Sequence, residues 1–512
     1  MAFKPIPLKV PPGFFRNGTK YEAMGRWYDG NMIRWENGRM KPYGGWTSML
    51  APGGNLVGVA RGGIAWSDNN GFRYIAIGTN EKLYVGTAGI YTDVTPGGLV
   101  TGRADSISGP GYGAGPYGSG DYGTQRTSTG LELDAATWSM DTYGEDLLGV
   151  LTSDQTIWQF DPSTGLVTKQ STSAPTALAV MVTNEDFILA LGAGGEGRLI
   201  QWPDVTNPTT WTAAITNTAG QIPLNTGGRC MSGTRVGVQN IVWTNMDVHA
   251  VNFIGTPGIY GPNRLAEGCG LVGPNAWSVT DVAIWMSWGG FKIYNGIVDD
   301  LPCEVQDYTW SQIDWTQSAK IYCETNTRYN EHTWWFPSVN PSLPAGTATE
   351  CDSYVTWNRK LGIWYFGIKS TLGARTTWVD KGVWPLPIAV DPTGNVFEHE
   401  TGFLDNGSTR VGQVFAVSGP VEPMGGERRA DVTLLIPDVD PDPSVVELTV
   451  NCQNAPDGPV TTVGPFSLAT NAEGYTPARF SGRQLSLEFT QTQDEDWSLG
   501  TMRAIAKPGS AR

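Results

Sequence analysis

The sequence predicts an all-β protein built around a β-propeller, with a C-terminal β-sandwich domain. Three observations lead to this prediction: a hairpin pattern that recurs along most of the chain, abundant turn-forming residues, and no sustained helical period. The chain has 512 residues, among them 66 Gly, 34 Pro and 21 Trp. Gly and Pro favour turns, and Trp fills wide β cores or interfaces.

The hairpin is clearest between Asp146 and Asp161. Residues 147–151 form an apolar run, 152–155 are polar, and 156–160 alternate into aromatic residues. Strand, tight turn and strand is the plainest interpretation of this order.

The second, aromatic strand of this hairpin occurs seven times along the chain. Its copies start at residues 83, 157, 199, 248, 291, 354 and 396, so the steps are 74, 42, 49, 43, 63 and 42 residues. Four of the six steps match the roughly 40–50 residues of one four-stranded propeller blade. A further hairpin at 32–43, with Asn37-Gly38 at its turn, leaves the number of blades open. The alternative is an all-β chain of many hairpins without radial order.

Composition divides the chain into three segments and one insertion. Residues 1–25 form an extended N-terminal arm, since its prolines preclude a regular helix. Residues 26–408 form the propeller, into which a Gly/Tyr-rich loop is inserted at about 100–130. Residues 409–512 form the β-sandwich, and the sequence places strands in this domain at 430–436, 445–451, 485–490 and 501–506.

The arm is a candidate interface with another chain. The first 50 residues contain eight basic and three acidic residues, in a chain of net charge −15. Arg16, Lys20 and Arg26 are therefore candidate contacts to an acidic neighbour, and a solvated tail is the alternative. On this interpretation, removing residues 1–25 weakens assembly with a partner more than it weakens folding.

The inserted loop is a second candidate interface. In the low-complexity run 109–123, Tyr112, Tyr117 and Tyr122 recur every five residues as aromatic contact points. The alternative is a disordered loop.

We predict that deletion of residues 109–123 leaves the fold intact, because this run has no core-forming pattern. The melting temperature of the deletion variant is expected to stay within about 2 °C of the full chain's, since surface loops tolerate large changes in length. A large fall in the melting temperature would contradict the prediction.

The residues that carry enzyme chemistry form no convincing catalytic set, so the sequence predicts a non-enzyme without cofactor or metal. The three His lack HxH or HExxH spacing, and the six Cys include no CxxC pair, which indicates reduced thiols. A glycosidase needs two convergent carboxylates, and a group that could approach a propeller axis is Asp299, Asp300, Glu304 and Asp307. Residues 67–74 loosely resemble the Asp-box turn of sialidase propellers. A carbohydrate-binding or glycan-cleaving propeller for host recognition is therefore an alternative.

Charge and hydropathy argue against two further classes of protein, nucleic-acid binders and membrane-inserted proteins. A net charge of −15 argues against a general nucleic-acid binder, because phosphate binding needs a cationic face. The sequence has no apolar run near 18 residues, so membrane insertion is not expected.

Short sequence segments that look familiar occur throughout the chain, at 14–19, 25–31, 44–46, 109–123, 299–303, 333–338, 482–489 and 497–500. Together they resemble structural proteins of tailed bacteriophages, in particular the tail hub or nozzle (packaged-DNA stabilisation) proteins of short-tailed phages. The resemblance implies a propeller, with six blades favoured and seven possible, and an added β domain. It further implies a homohexameric ring in the virion tail, assembled in the host cytoplasm.

The same resemblance implies the partners. They are a portal-adaptor protein, tail spike or fibre proteins, and genomic DNA that passes through the channel without specific binding. An acidic channel wall would repel DNA and allow it to slide during ejection. A tail-tip protein of a longer tail is an alternative within the same class of proteins.

Overall fold

The chain is all-β, and seven four-stranded antiparallel sheets form a β-propeller. The computed structural model describes residues 5–50, 54–87, 89–108, 132–339, 349–368, 374–441, 444–456 and 458–510. Its helices are the short α1 (Gln306–Gln312) and two 3-10 helices, Ala193–Gly195 and Trp315–Lys320. The predicted fold class is confirmed for the propeller.

The N-terminal part and the first two blades contain fifteen strands. Before blade 1 come β1 (Pro5–Pro7), β2 (Trp27–Asn31), β3 (Ile33–Glu36), β4 (Arg39–Pro42) and β5 (Trp46–Ser48). Blade 1 consists of β6 (Ala60–Ser67), β7 (Arg73–Thr79), β8 (Leu83–Thr87) and β9 (Ile90–Asp93). A two-stranded pair follows, β10 (Ile107–Ser108) and β11 (Glu132–Leu133). Blade 2 consists of β12 (Trp138–Tyr143), β13 (Asp146–Leu151), β14 (Trp158–Asp161) and β15 (Leu166–Lys169).

Blades 3 to 5 follow in the same order. Blade 3 consists of β16 (Ala179–Val182), β17 (Ile188–Leu191), β18 (Leu199–Trp202) and β19 (Gly220–Pro223). Blade 4 consists of β20 (Cys230–Val236), β21 (Gln239–Thr244), β22 (Asp247–Gly255) and β23 (Ile259–Glu267). Blade 5 consists of β24 (Trp277–Val279), β25 (Ala283–Ser287), β26 (Gly290–Tyr294) and β27 (Val298–Leu301).

The last two blades and the C-terminal strands complete the chain. Blade 6 consists of β28 (Tyr322–Asn326), β29 (Glu331–Pro337), β30 (Cys351–Asn358) and β31 (Ile363–Ile368). Blade 7 takes three strands from here, β32 (Thr377–Val379), β33 (Ile388–Val390) and β34 (Val396–His399). The C-terminal strands are β35 (Phe415–Ser418), β36 (Ala430–Ile436), β37 (Val439–Asp440), β38 (Val446–Gln453), β39 (Thr461–Ser467), β40 (Thr476–Gly482), β41 (Gln484–Gln491), β42 (Ser498–Leu499) and β43 (Arg503–Pro508).

Each of the seven aromatic strands predicted from the sequence is the third strand of a blade. They correspond to β8, β14, β18, β22, β26, β30 and β34. A third strand is buried between neighbouring sheets, which explains its dense aromatic and branched residues. The six blades favoured on the resemblance are therefore corrected to seven within the described residues.

The first strands of successive blades form a ring around the central axis. They contact one another between blades 1 and 2, 2 and 3, 3 and 4, 5 and 6, 6 and 7, and 7 and 1. Between blades 4 and 5, the rings of Trp243 and Trp277 stack with centroids 5.3 Å apart, and Trp277 Nε1 donates to Ser232 Oγ at 2.9 Å. The packed ring leaves a channel along the axis.

Blade 7 is completed by the N-terminal strand β5, which pairs antiparallel with β34. Trp46 lies opposite His399 in this register and is almost fully buried. Its Nε1 donates to Asp405 Oδ1 at 2.5 Å. The ring therefore closes by pairing residues about 350 positions apart in the chain.

The C-terminal strands form sheets with N-terminal strands. One sheet has the order β1-β43-β36-β40, a second the order β2-β35-β41-β38-β39, and a third the order β3-β4-β42-β37. In β38, buried and half-buried residues alternate, as expected when one face of a sheet packs on a core. The four C-terminal strands predicted from sequence correspond to β36, β38, β41 and β43.

The predicted domain limits are corrected by these pairings. Residues 26–45 were assigned to the propeller, but β2, β3 and β4 lie in the C-terminal sheets. Trp27 and Trp35 are buried in the same apolar core as Phe489, which explains the pairing. An independent C-terminal sandwich of residues 409–512 is therefore not confirmed.

The N-terminal arm is extended at β1, as predicted, but it forms turns over residues 17–25, and it packs along the molecule. Pro5 to Pro7 pair with Arg503 to Ile505. Phe14 is fully buried, its N–H donates to Trp364 O at 2.7 Å, and its ring lies 5.5 Å from that of Trp35. The arm thus contributes to the core instead of extending free of it.

Candidate functional site

Two of the three basic residues proposed as docking contacts bind within the chain. Arg16 Nη1 lies 2.9 Å from Asp29 Oδ1, and its guanidinium lies 3.8 Å from the centre of the Tyr308 ring. Arg26 forms two hydrogen bonds to the Glu304 carboxylate. These contacts hold the arm against the connection that follows blade 5, and contact of Arg16 and Arg26 with a partner stays a prediction.

The other predicted contacts remain untested. Lys20 is exposed in the turn between Arg16 and Arg26, where a partner can reach it. Tyr112, Tyr117 and Tyr122 lie outside the described residues. The strands β10 and β11 pair antiparallel and form the base from which that inserted loop leaves the propeller.

A central cavity of about 350 Å³ runs along the propeller axis, between the first strands of the blades. Acidic side chains from three blades line it: Asp141, Glu324 and Asp380. Asp141 accepts hydrogen bonds from the N–H groups of Val182 and Thr142, and burial raises the pKa of its carboxyl. The cavity has the volume of a small-molecule site, far below that of a nucleic-acid duplex.

A buried cluster of charges lies at the end of the channel where the first strands begin. Arg61 donates two hydrogen bonds to Glu350, at 2.7 and 2.8 Å, and a third to Ala104 O at 2.8 Å. The fully buried ammonium of Lys320 binds Asp105 and lies 3.2 Å from Glu350 Oε1. The cluster ties the base of the inserted loop to blades 1 and 6.

The carboxylates suggested by the sequence for a glycosidase do not converge on the axis. Asp299 and Asp300 lie on β27, the outermost strand of blade 5, and Asp300 is bound by Lys292. Glu304 is bound by Arg26. That expectation is therefore wrong, because the outer strand of a blade faces away from the channel.

One serine–histidine contact is present beside the channel. Ser278 Oγ lies 3.1 Å from His332 Nδ1 and 2.6 Å from Thr325 Oγ1. Burial lowers the pKa of His332 to about 4, so the imidazole is a weak base near neutral pH. His332 also stacks on Trp357, with ring centroids 5.8 Å apart. The Ser278–His332 contact is therefore a structural hydrogen bond and not a pairing of a nucleophile with a general base.

The three histidines lie in three different blades: His249 on β22, His332 on β29 and His399 on β34. Among the described residues, no group of three or more His, Cys, Asp and Glu side chains is placed to hold a metal ion. Within the same residues, no helix is long and apolar enough to cross a membrane.

A buried ion network joins the N-terminal hairpin to blades 6 and 7. Arg34 on β3 donates to Glu400 at 2.7 and 3.0 Å, and its Nε lies 3.0 Å from Glu331 Oε1. Tyr365 OH donates to Glu331 at 2.6 Å. The guanidinium carbon of Arg34 lies 4.1 Å from the centre of the Tyr43 ring. Arg34, Glu331 and Tyr365 are buried, and Glu400 and Tyr43 are half-buried, so the network specifies how the hairpin packs on the propeller.

The pKa values of the two carboxyls of this network are shifted in opposite directions. Desolvation raises the pKa of Glu331 to about 7, although Arg34 favours its charged form. The pKa of Glu400 is lowered, because Arg34 and the Asn326 amide outweigh its desolvation. Glu331 is therefore the member of the network that titrates near neutral pH.

We predict that Glu331→Gln changes how stability depends on pH. The folded pKa of Glu331 lies above its unfolded value, so its contribution to stability is complete below about pH 4.5 and is lost as pH rises towards 7. Relative to the unmodified protein, the variant is expected to gain roughly 3 kcal/mol between pH 5 and pH 8. Urea unfolding across this range measures the difference; a difference that stays constant with pH would contradict the assignment.

The large apolar side chains with the greatest exposure share one end of the propeller. Seven are more than 60% exposed: Phe72, Ile90, Leu166, Ile215, Val238, Ile254 and Ile297. Each lies at a connection between the first and second or the third and fourth strands of its blade. These connections lie at the same end of an antiparallel meander. We name this end, with these seven residues, the turn face.

The turn face and the ion network were both missed in the sequence. The apolar residues of the turn face are single residues beside turns, and their common location appears only when the blades close. Arg34, Glu331 and Glu400 are more than 60 residues apart from one another in the chain. Alternation within β3 places Arg34 on the face opposite Ile33 and Trp35, so the sequence carries no signal of its burial.

Comparisons with known proteins identify no family for this chain. No family model matches the chain, and no curated protein matches it. Three solved structures that it resembles are the β-propeller domain of Cps50 (Swd1) from Myceliophteria thermophila, a catalytically inactive virginiamycin B lyase from Staphylococcus aureus with quinupristin, and the WD40 domain of Pan2 from Neurospora crassa.

The sequence identities to these three structures are 8%, 10% and 10%, and the TM-scores are 0.37, 0.40 and 0.38. The alignments cover 67%, 67% and 71% of this chain, and 97%, 97% and 95% of the three structures. Scores this low carry no argument about the fold or the function. The assignment of the propeller rests on the strand order and on the closed ring of first strands.

Proposed function

We propose that this protein is a non-enzymatic structural component of a bacteriophage virion, of the tail hub or nozzle type, that assembles into a ring. The observation that carries the proposal is the turn face, where seven strongly exposed apolar side chains come from five consecutive blades. Apolar side chains that are exposed together at one end of a protein are candidates for an interaction site. The sequence segments that resemble phage tail proteins favour a virion tail as the assembly in which this surface is buried.

The composition supports permanent contacts with other chains. Charged residues make up 16% of the chain and aromatic residues 11%. The cores of protein interfaces are depleted in charged residues and enriched in aromatic ones. A chain with few charges and an apolar end therefore suits a subunit of a stable assembly.

In this proposal the DNA passes between copies of the chain and not through a propeller. The central cavity of about 350 Å³ is too small for a duplex, and the Arg61–Glu350–Lys320 cluster lies across one end of it. Each copy then contributes an outer surface to a wider common channel. The net charge of −15 suits a wall along which DNA slides without adhering.

Sedimentation velocity tests the assembly. The proposal predicts that the purified protein, alone or with a portal-adaptor protein, sediments as a multimer. Introducing charge at three turn-face positions, Ile90→Asp, Val238→Asp and Ile297→Asp, is expected to lower the oligomer population at least tenfold while the blades stay folded. A control with the same charge change at exposed polar positions, Asn69→Asp, Asn207→Asp and Asn295→Asp, is expected to assemble normally.

An unmodified protein that stays monomeric with and without a portal-adaptor protein would contradict the proposal. Loss of assembly in both triple variants would attribute the effect to the added negative charge and not to the loss of the apolar side chains.

A further inference from the structure

A cluster of three tryptophans is partly exposed at the end of the propeller opposite the turn face. Trp288, in the connection between β25 and β26, is 53% exposed. Its ring centroid lies 5.1 Å from that of Trp315, which in turn lies 5.9 Å from that of Trp310. We name these three residues the tryptophan cluster.

The cluster is held in place by its own backbone contacts. Trp310 Nε1 donates to the carbonyl oxygen of Trp288 at 3.0 Å, and the Trp310 ring meets that of Phe291 at 5.1 Å. Phe291 is buried in the main core. The exposed indole of Trp288 therefore sits on a rigid base, and rigid aromatic side chains lose little entropy on binding.

The segment that carries Trp310 and Trp315 is rich in carboxylates. Residues 293–319 include five acidic residues, and the cations Lys292, Lys320 and Arg26 beside this segment are each paired with a carboxylate. Asp307 is exposed and precedes Trp310 by three positions on α1, so both lie on the same side of the helix. Asp307 forms no ion pair within the described residues, so it provides a negative charge beside the cluster.

The polar side chains beside the cluster are already engaged within the chain. Ser311 Oγ donates to Tyr308 O at 2.7 Å, and Gln312 Nε2 donates to Ser311 Oγ at 3.3 Å. Asp314 Oδ1 accepts from Thr316 N and Oγ1, at 3.1 and 2.7 Å. A sugar site needs polar groups directed at the ligand, whereas this surface offers aromatic rings in a negative field.

We propose that the tryptophan cluster is a docking site for an arginine-containing segment of a partner protein. A guanidinium stacks on an indole face by cation–π attraction, and nearby carboxylates add to the attraction. The site is separate from the turn face, so each copy in an assembly would retain it for a second kind of partner.

Binding of defined peptides tests this proposal on the full chain. The probes are three fluorescein-labelled peptides of alternating residues, Arg-Gly, Lys-Gly and Gln-Gly, measured by fluorescence anisotropy at 0.15 M salt. The Arg-Gly peptide is expected to bind tightest and the neutral Gln-Gly peptide not to bind. Trp288→Ala is expected to weaken binding of the Arg-Gly peptide about fivefold, and Trp288→Phe to restore part of it.

Two further variants separate the site from general attraction to an acidic protein. Phe72→Ala removes an exposed aromatic ring from the turn face and is expected to leave peptide binding unchanged. Asp307→Asn is expected to weaken binding about twofold and to reduce its dependence on salt.

Equal binding by the unmodified protein and by Trp288→Ala would overturn the proposal, since it would show attraction by net charge only. Binding of neutral oligosaccharides that is lost in Trp288→Ala, without peptide binding, would also overturn it and would make the cluster a glycan site. Trp288 is half exposed, so its replacement is expected to leave the fold intact, and Asp307→Asn provides an independent test if it does not.

Discussion

Arg34→Ala is expected to destabilise the protein by about 3–5 kcal/mol, because it leaves Glu331 and Glu400 buried without their cation. Desolvation of an unpaired carboxylate is costly, and the hairpin that carries Arg34 also closes the C-terminal sheets. The change is measured as a shift of the urea unfolding midpoint at pH 7.

Arg39→Ala is the matched control for this experiment. Arg39 lies on β4, opposite Glu36 of β3, and forms an exposed ion pair with Asp438 at 3.2 Å. Exposed pairs contribute about 0–1 kcal/mol, so only a small shift is expected. Similar shifts for the two variants would contradict the structural role given to the buried network.

Phe14→Ala is expected to cost about 3–5 kcal/mol, the range for removal of a fully buried aromatic side chain. The ring lies between Trp35 and Phe366, at 5.5 and 5.0 Å, so its loss leaves a cavity where the arm, the N-terminal hairpin and blade 6 meet. Thermal and urea unfolding measure the effect.

Phe72→Ala is the control, since this ring is 65% exposed and its removal is expected to change the stability by less than about 0.5 kcal/mol. Equal effects of the two variants would show that the arm does not pack as described.

The burial of Phe14 also changes the expectation that loss of residues 1–25 affects assembly more than folding. We now expect deletion of residues 1–25 to lower the stability of the fold before it affects assembly.

Local patterns were sufficient to predict the blades. The third strands carry aromatic and branched residues because they pack between sheets, and all seven were found from this property. The hairpin at 146–161 was found because a polar turn separates its two apolar runs. These signals depend on residues within about 15 positions of one another.

Pairing between distant segments could not be predicted. The strand β5 has three residues, and nothing in Trp46-Thr47-Ser48 shows that its partner is β34. The prolines of the arm indicated an extended chain but not its burial, since an edge strand tolerates proline. The hairpin at 32–43 resembles a blade hairpin in sequence, and only its core contacts place it in another sheet.

Two residues predicted to contact a partner have contacts within the chain that the sequence did not reveal. Arg16 and Arg26 do contact carboxylates and aromatic rings, but those of Asp29, Glu304 and Tyr308 in the same chain. A sequence gives the charge of a segment and not whether its complement lies in the same molecule. The exposed residues of the turn face instead become the basis of the proposed assembly.

Electron microscopy of the purified protein, alone and mixed with a portal-adaptor protein, tests the proposed function most directly. The account predicts closed rings with a central opening wide enough for a DNA duplex, with the seven-bladed propellers arranged around the opening and their turn faces in contact with neighbouring subunits. Isolated propellers under both conditions, or rings whose turn faces point into solvent, would contradict it.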